Sequence, residues 1–159
     1  MKLFNIVSIS LLAITVISSF SCNPEYYGEP NNNKKVISSY SADNSHKNGA
    51  NCMDCHISGG EGEGIFTVAG SVYDSTKTGI YPNATIELYT ESNGRGSLIS
   101  TLEVDLLGNF YTTEDVDFGS GLFPMITGTG SDVHYMPEFT LIGTCNSCHG
   151  VTVDKIWVK

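Results

Sequence analysis

Two short segments gather the residue types in this chain that can do chemistry: Cys52-Met53-Asp54-Cys55-His56 and Cys145-Asn146-Ser147-Cys148-His149. Each sets two thiols three positions apart and puts an imidazole directly after the second. On a tight turn, thiols at that spacing reach the two vinyl groups of one porphyrin and bond to it as thioethers. The histidine that follows is then held beneath the iron as its proximal ligand. The pattern predicts two covalently bound haem c groups, one attached through Cys52 and Cys55, the other through Cys145 and Cys148. His56 and His149 are the expected proximal iron ligands.

Other uses of the same residues fit less well. A zinc site made of paired Cys-x-x-Cys units wants them roughly 15–20 residues apart, whereas residues 56–144 lie between these two. Zinc would also leave both adjacent histidines without a role. A thioredoxin-like redox pair needs a βαβ setting that the pattern lacks. Two small disulfide loops are the remaining alternative.

The chain has four histidines, so His46 and His134 are left for the sixth iron positions. Either approach segment is long enough to double back over a porphyrin at about 3.3–3.6 Å per extended residue, with Gly49 and Gly143 as bending points. Among the methionines, Met53 sits inside the attachment loop and Met125 in a strand-like run. Met136 is the rival to His134, and the choice matters because Met/His ligation raises the potential relative to two histidines. Bis-histidine ligation is expected at both irons. Which distal histidine serves which iron stays open.

The elements that position these residues follow from the rest of the chain. The apolar run Leu3–Ile17 behind Met1-Lys2 reads as a secretory signal too short to span a bilayer. It ends at Ser21-Cys22, which resembles a bacterial lipoprotein signal (residues 1–21), with Cys22 the acylated residue. Residues 22–45 carry Pro24, Pro30 and Asn31–Asn33 without apolar periodicity and read as a flexible tether. The haem-binding arms are then 46–62 and 134–150. Between them, 63–133 alternates with period two, as in Ala84, Ile86 and Leu88 or Leu98, Leu102 and Val104. Turn residues punctuate it at Lys77–Gly79, Ser92–Gly94 and Gly119–Gly121. This predicts an all-β fold, a sandwich of about seven strands, closed by a terminal strand in 151–159. If first and last strands lie side by side and parallel, both attachment motifs fall at one pole.

The motif pair makes the chain similar to multihaem c-type cytochromes. The order Val68-Ala69-Gly70-Ser71-Val72-Tyr73-Asp74, Pro82–Leu88 and Gly108-Asn109-Phe110 resembles a carboxypeptidase regulatory-like (transthyretin-like) domain over about half the chain. That likeness implies a non-catalytic scaffold or adhesion module.

Seventeen acidic against eight basic residues give a net charge of −9, and no Lys/Arg cluster tracks a phosphate backbone, so nucleic acid is disfavoured as a partner. The acidic surface suits basic redox partners or multivalent cations. The resulting expectation is an exported, lipid-anchored dihaem cytochrome of the cell envelope, on the outer membrane or cell surface rather than the inner membrane. It relays electrons between other redox proteins or cytochromes and is not an enzyme. The alternatives are a haem enzyme (peroxidase or sulfur-compound oxidoreductase) with one open iron site, and a structural or adhesion subunit that self-assembles. The sequon Asn83-Ala84-Thr85 reads as a coincidental glycosylation match, and the acidic stretches Glu61–Glu63 and Glu114–Asp117, with calcium binding as the alternative, read as solvated turns.

Overall fold

The computed structural model describes residues 34–159. The expected signal, Cys22 and the start of the tether lie outside the described residues.

Alternation of apolar and polar residues folds into eight short strands among the described residues. They are Val68–Tyr73 (β1), Thr85–Glu91 (β2), Arg95–Glu103 (β3), Asn109–Thr112 (β4), Phe123–Thr127 (β5), Val133–Tyr135 (β6), Gly143–Thr144 (β7) and Ile156–Trp157 (β8). Two sheets result. In the first, β4 runs antiparallel along one edge of β1, while β7 and β8 pair parallel to it. The second has the order β3-β2-β5-β6 and is antiparallel throughout. The all-β expectation is met, and no described helix is long and apolar enough to cross a membrane.

Period two decides which side chains go inside. Ala84, Ile86 and Leu88 are buried while Thr85, Glu87 and Tyr89 are half-exposed. Val68, Val72 and Phe110 of the first sheet meet Ile86, Leu88, Leu102 and Ile126 of the second in one cluster. Removing each large apolar side chain from water contributes roughly 1.5–3 kcal/mol. The β2–β3 hairpin turns through the three residues Ser92–Gly94, with Asn93 (φ 61°) and Gly94 (φ 67°) both left-handed, conformations that asparagine and glycine adopt most readily.

All six residues of β1 are buried, because its outer face is covered too. Ala69 packs there with Phe66 and Tyr111, and Val36, Cys52 and Met53 close over them. Phe66 precedes the strand and stacks on Tyr111, ring centres 5.0 Å apart. Leu98 departs from its expected inward position and is 48% exposed. The β2–β3 register shifts between Leu88↔Ser100 and Tyr89↔Leu98. That bulge swings Leu98 onto the outward face.

Residues 34–45 differ from a free tether. Ile37 bridges antiparallel to Thr112, and the buried Ser38 donates its N–H to Tyr111 O at 2.9 Å and accepts the Tyr111 N–H on Oγ at 3.0 Å. The segment thus satisfies the free edge of β4, which a solvated tether would leave open. The expected second arm likewise begins on a strand, since His134 lies in β6.

The turn after β1 supplies a pH prediction. Asp74 accepts the Thr76 hydroxyl at 2.6 Å, and that bond chiefly holds its carboxyl below the usual carboxylate range. A depressed folded-state value gives stability that is present above the unfolded value near 4 and lost as pH falls through the lower folded one. Asp74→Asn should therefore lower the melting temperature slightly at pH 7, and thermal scans should show the difference from wild type shrinking as pH falls below about 4.

Candidate functional site

The two Cys-x-x-Cys-His segments fold alike. Cys52–Asp54 and Cys145–Ser147 each form a single 3₁₀ turn. In each, the N–H groups of the second cysteine and the histidine both donate to the first cysteine's carbonyl, at 3.2 and 3.0 Å. This is the tight turn that the spacing demands.

Both following histidines are oriented through one nitrogen. His56 Nδ1 donates to Glu63 O at 2.9 Å, and His149 Nδ1 donates to Asp154 O at 2.7 Å. A ring nitrogen engaged in this way carries the proton, so Nε2 keeps its lone pair, as a metal-ligating imidazole requires. Burial pushes the His56 pKa below the ordinary imidazole value, outweighing the upward pull of the Glu63 carbonyl. Its ring stacks on Phe66 with centres 4.0 Å apart and planes 6° from parallel. A Cβ on Gly62 would lie 2.7 Å from the same ring, so only glycine leaves the imidazole its place.

Opposite His56 stands His46. The chain reaches it through a turn with Lys47 at φ 50° and Gly49 at φ 84°, so Gly49 is the bending point expected of it. The ring centres of His46 and His56 are 6.0 Å apart and their planes 35° from parallel. Two imidazoles ligating one metal from opposite sides through bonds of about 2 Å place their ring centres about 6 Å apart. The pair therefore fits a six-coordinate iron between them. Of the two candidate distal histidines, His46 is the one that the fold sets beside His56.

The second motif borders a cavity of about 340 Å³ between the two sheets, lined by Cys145, Cys148, His149, His134, Met136 and Trp157. Apolar side chains such as Val68, Leu88, Phe110 and Ile126 form its floor. That size and lining suit a flat, largely apolar cofactor. Asp132, His134 and Met136 alternate along the β6 edge, and both rival ligands reach the cavity wall. His134 Nε2 donates to Asp132 Oδ2 at 2.9 Å, and Trp157 meets its ring edge-on at 4.2 Å. His134 is thus anchored by a carboxylate through Nε2, whereas His46 makes its ring contact with His56. Gly143 is no bending point. A Cβ there would collide with the Thr67 carbonyl, so its role is to let β7 approach β1.

The motif cysteines form no disulfide, and no group of three or more His, Cys, Asp or Glu side chains that could hold a bare metal ion occurs among the described residues. A zinc site needs such convergence; two thioether-bound porphyrins do not. Burial pushes the Cys145 thiol up to about 12 and raises Cys52 as well, while Cys148 is exposed. In the haem-free protein at pH 8, iodoacetamide should modify Cys148 quickly and Cys145 at least a hundredfold more slowly, because the thiolate is the nucleophile. Peptide mapping over time reads this directly.

Of the acidic stretches, Glu114 pairs with Lys35 and Asp117 accepts the Gly119 N–H at 2.9 Å, as in solvated turns. Sequence reasoning missed Phe66, Gly62, Trp157 and the carbonyls of Glu63 and Asp154, which orient the imidazoles. A carbonyl leaves no trace in residue type. The phenylalanine ten residues after His56 lies outside the motif, and no spacing rule ties it to the imidazole. No known protein family, curated protein or solved structure matches the chain.

Proposed function

We propose that this chain is a dihaem c-type cytochrome that relays single electrons, held at a membrane of the cell envelope by a lipid on Cys22. The observation that carries this reading is the His46–His56 pair, 6.0 Å between ring centres, beside a Cys-x-x-Cys turn whose histidine has its Nδ1 committed to a carbonyl. A second turn of the same backbone, set against an apolar cavity, supports a second haem. The fold supports a scaffold of the carboxypeptidase regulatory-like type, two sheets with one shared core.

Each haem iron, when bound, takes up one electron and gives it back. The protein's own residues do the rest. Each cysteine thiol adds across a vinyl C=C, sulfur bonding to one carbon and hydrogen to the other, so attachment needs no oxidant. His56 and His149 ligate through Nε2, and Glu63 O and Asp154 O hold their Nδ1 protons. Phe66 and Gly62 fix the His56 ring plane, which limits rearrangement between redox states. His46 closes the first iron to substrate. The acidic surface repels anions and favours cationic faces of redox partners.

One observation favours a haem enzyme as the second reading. The anchored His134 and the neighbouring Met136 make the sixth position at the second iron the less committed of the two. Electron paramagnetic resonance of the oxidised protein distinguishes them. The relay predicts low-spin ferric iron at both sites, and a high-spin signal from one would favour the enzyme.

A further inference from the structure

We infer that Asn146, a variable position inside the second Cys-x-x-Cys-His motif, is a positioning residue that locks the His46 loop of the first site to the attachment turn of the second. The inference rests on the dihaem reading only for its electron-transfer consequence.

The placement begins with β1. β7 and β8 pair one after the other along the same edge, at Val68–Ala69 and Val72–Tyr73, and the second motif bulges out between them. The bulge leaves the Ser71 N–H without a strand partner. Asn146 Oδ1 accepts it at 3.1 Å. The Asn146 amide then donates to Ser71 Oγ at 2.9 Å and to Ala50 O at 2.8 Å, two residues before Cys52.

The network continues to the distal ligand. Ser71 Oγ also accepts the Gly49 N–H at 2.9 Å and donates to Asn109 Oδ1 at 2.7 Å. Asn109 Oδ1 accepts a second bond from Asn48 at 3.2 Å, while Asn109 Nδ2 donates to Ser45 Oγ at 2.8 Å and His46 O at 3.5 Å. Ser71, Asn109 and Asn146 are all buried, at 1%, 1% and 4% exposure.

Counting donors and acceptors shows why this is a lock. Asn146 uses both amide hydrogens, Ser71 its one hydroxyl donor and both lone pairs, and Asn109 both hydrogens and both lone pairs. A buried network satisfied throughout specifies one geometry, and losing one member strands the others without water. Within residues 45–50 the network holds the Ser45 and Asn48 side chains and the backbone of His46, Gly49 and Ala50, and Asn146 is the second turn's own contribution. The side chain thereby sets how the two sites lie relative to each other, and with it the path for electron exchange between them.

The test is Asn146→Leu, similar in size but unable to hydrogen-bond, read in two forms of the protein. In the haem-free chain, amide hydrogen exchange at Gly49 and Ser71 should accelerate about tenfold or more, with β2–β5 amides unchanged. In the haem-loaded chain, both haems should be retained while the magnetic interaction between the two ferric irons weakens. Unchanged exchange at Gly49 would overturn the inference, and so would faster exchange with an unaltered iron–iron interaction. A wild-type chain that carries no haem would instead refute the dihaem reading, and the exchange result would still decide whether Asn146 holds the loop. If Asn146→Leu does not fold, Ser71→Ala removes the shared hydroxyl and is read in the same way.

Discussion

In the proposed dihaem protein, replacing His46 with alanine is expected to turn one of the two ferric irons high-spin and leave the other low-spin. Within the described residues His46 is the imidazole that faces His56, 6.0 Å from it. Its ring is held there by the backbone of the 45–50 loop. Alanine removes the ligand and leaves that backbone in place, because the bonds to Ser45, Asn48 and Gly49 do not involve the imidazole. The fold and the haem count should persist while a sixth position opens to water. Optical and paramagnetic resonance spectra should show the high-spin fraction close to half of total iron. Adding free imidazole should return it to low spin. A spectrum indistinguishable from wild type would mean that His46 is not a ligand. His134→Ala gives the companion measurement: a low-spin second iron in that variant would assign the sixth position to Met136, with the higher potential that a thioether brings.

Phe110→Ala should be the most damaging single change to stability. Phe110 is fully buried, lies in the core shared by both sheets and forms part of the cavity floor beside the second motif. Its ring also fills the space above Gly70, where a Cβ would come within 2.5 Å of Phe110 Cζ and 2.9 Å of Cys145 Cβ. Truncation of such a residue costs about 3–5 kcal/mol, which for a domain of this size lowers the melting temperature by on the order of 10–20 °C. The second site should suffer more than the first, since the first lies on the opposite face of β1 over Phe66, Ala69 and Tyr111. Thermal unfolding followed by circular dichroism gives the magnitude. A shift under 3 °C would show that the core does not depend on this ring. Gly70→Ala tests the same contact from the other side, by overpacking, at about 1–3 kcal/mol.

What could be read from the sequence was what residue type and short spacing encode. The two motifs, the inward run Ala84, Ile86 and Leu88, and the Asn93-Gly94 turn are local, and each folds as its local pattern dictates. The parallel placement of the last strand beside the first, only a condition in the sequence reading, is what the fold adopts, with Ile156 and Trp157 opposite Val72 and Tyr73. Features that depend on a distant partner were not legible. A bulge of β2 against β3 decides that Leu98 faces out. The free edge of β4 draws residues 34–45 onto the sheet, although their composition is that of a linker. Gly143 looks like a hinge in sequence and serves as a point of close approach. Asn146 has no signature at all, because its meaning lies in a gap between β7 and β8 that exists only in the folded chain.

The four histidines divide unequally in the same way. His56 and His149 are placed by the residue spacing of their own motifs. His46 needs only a short loop to reach His56, and it does. His134 depends on β6, Asp132 and Trp157, three elements brought together by the second sheet and the terminal strand. The ligand set of the proposed second iron is therefore the part of the site that tertiary structure, rather than motif, decides.

The central claim is tested most directly by the intact mass of the protein purified from cells able to attach haem covalently to cysteine. Two haem adducts on one chain, both lost when all four motif cysteines are replaced by serine, are the predicted result. A colourless protein whose mass equals that of the bare polypeptide, or one that retains zinc at Cys52, Cys55, Cys145 and Cys148, would contradict it.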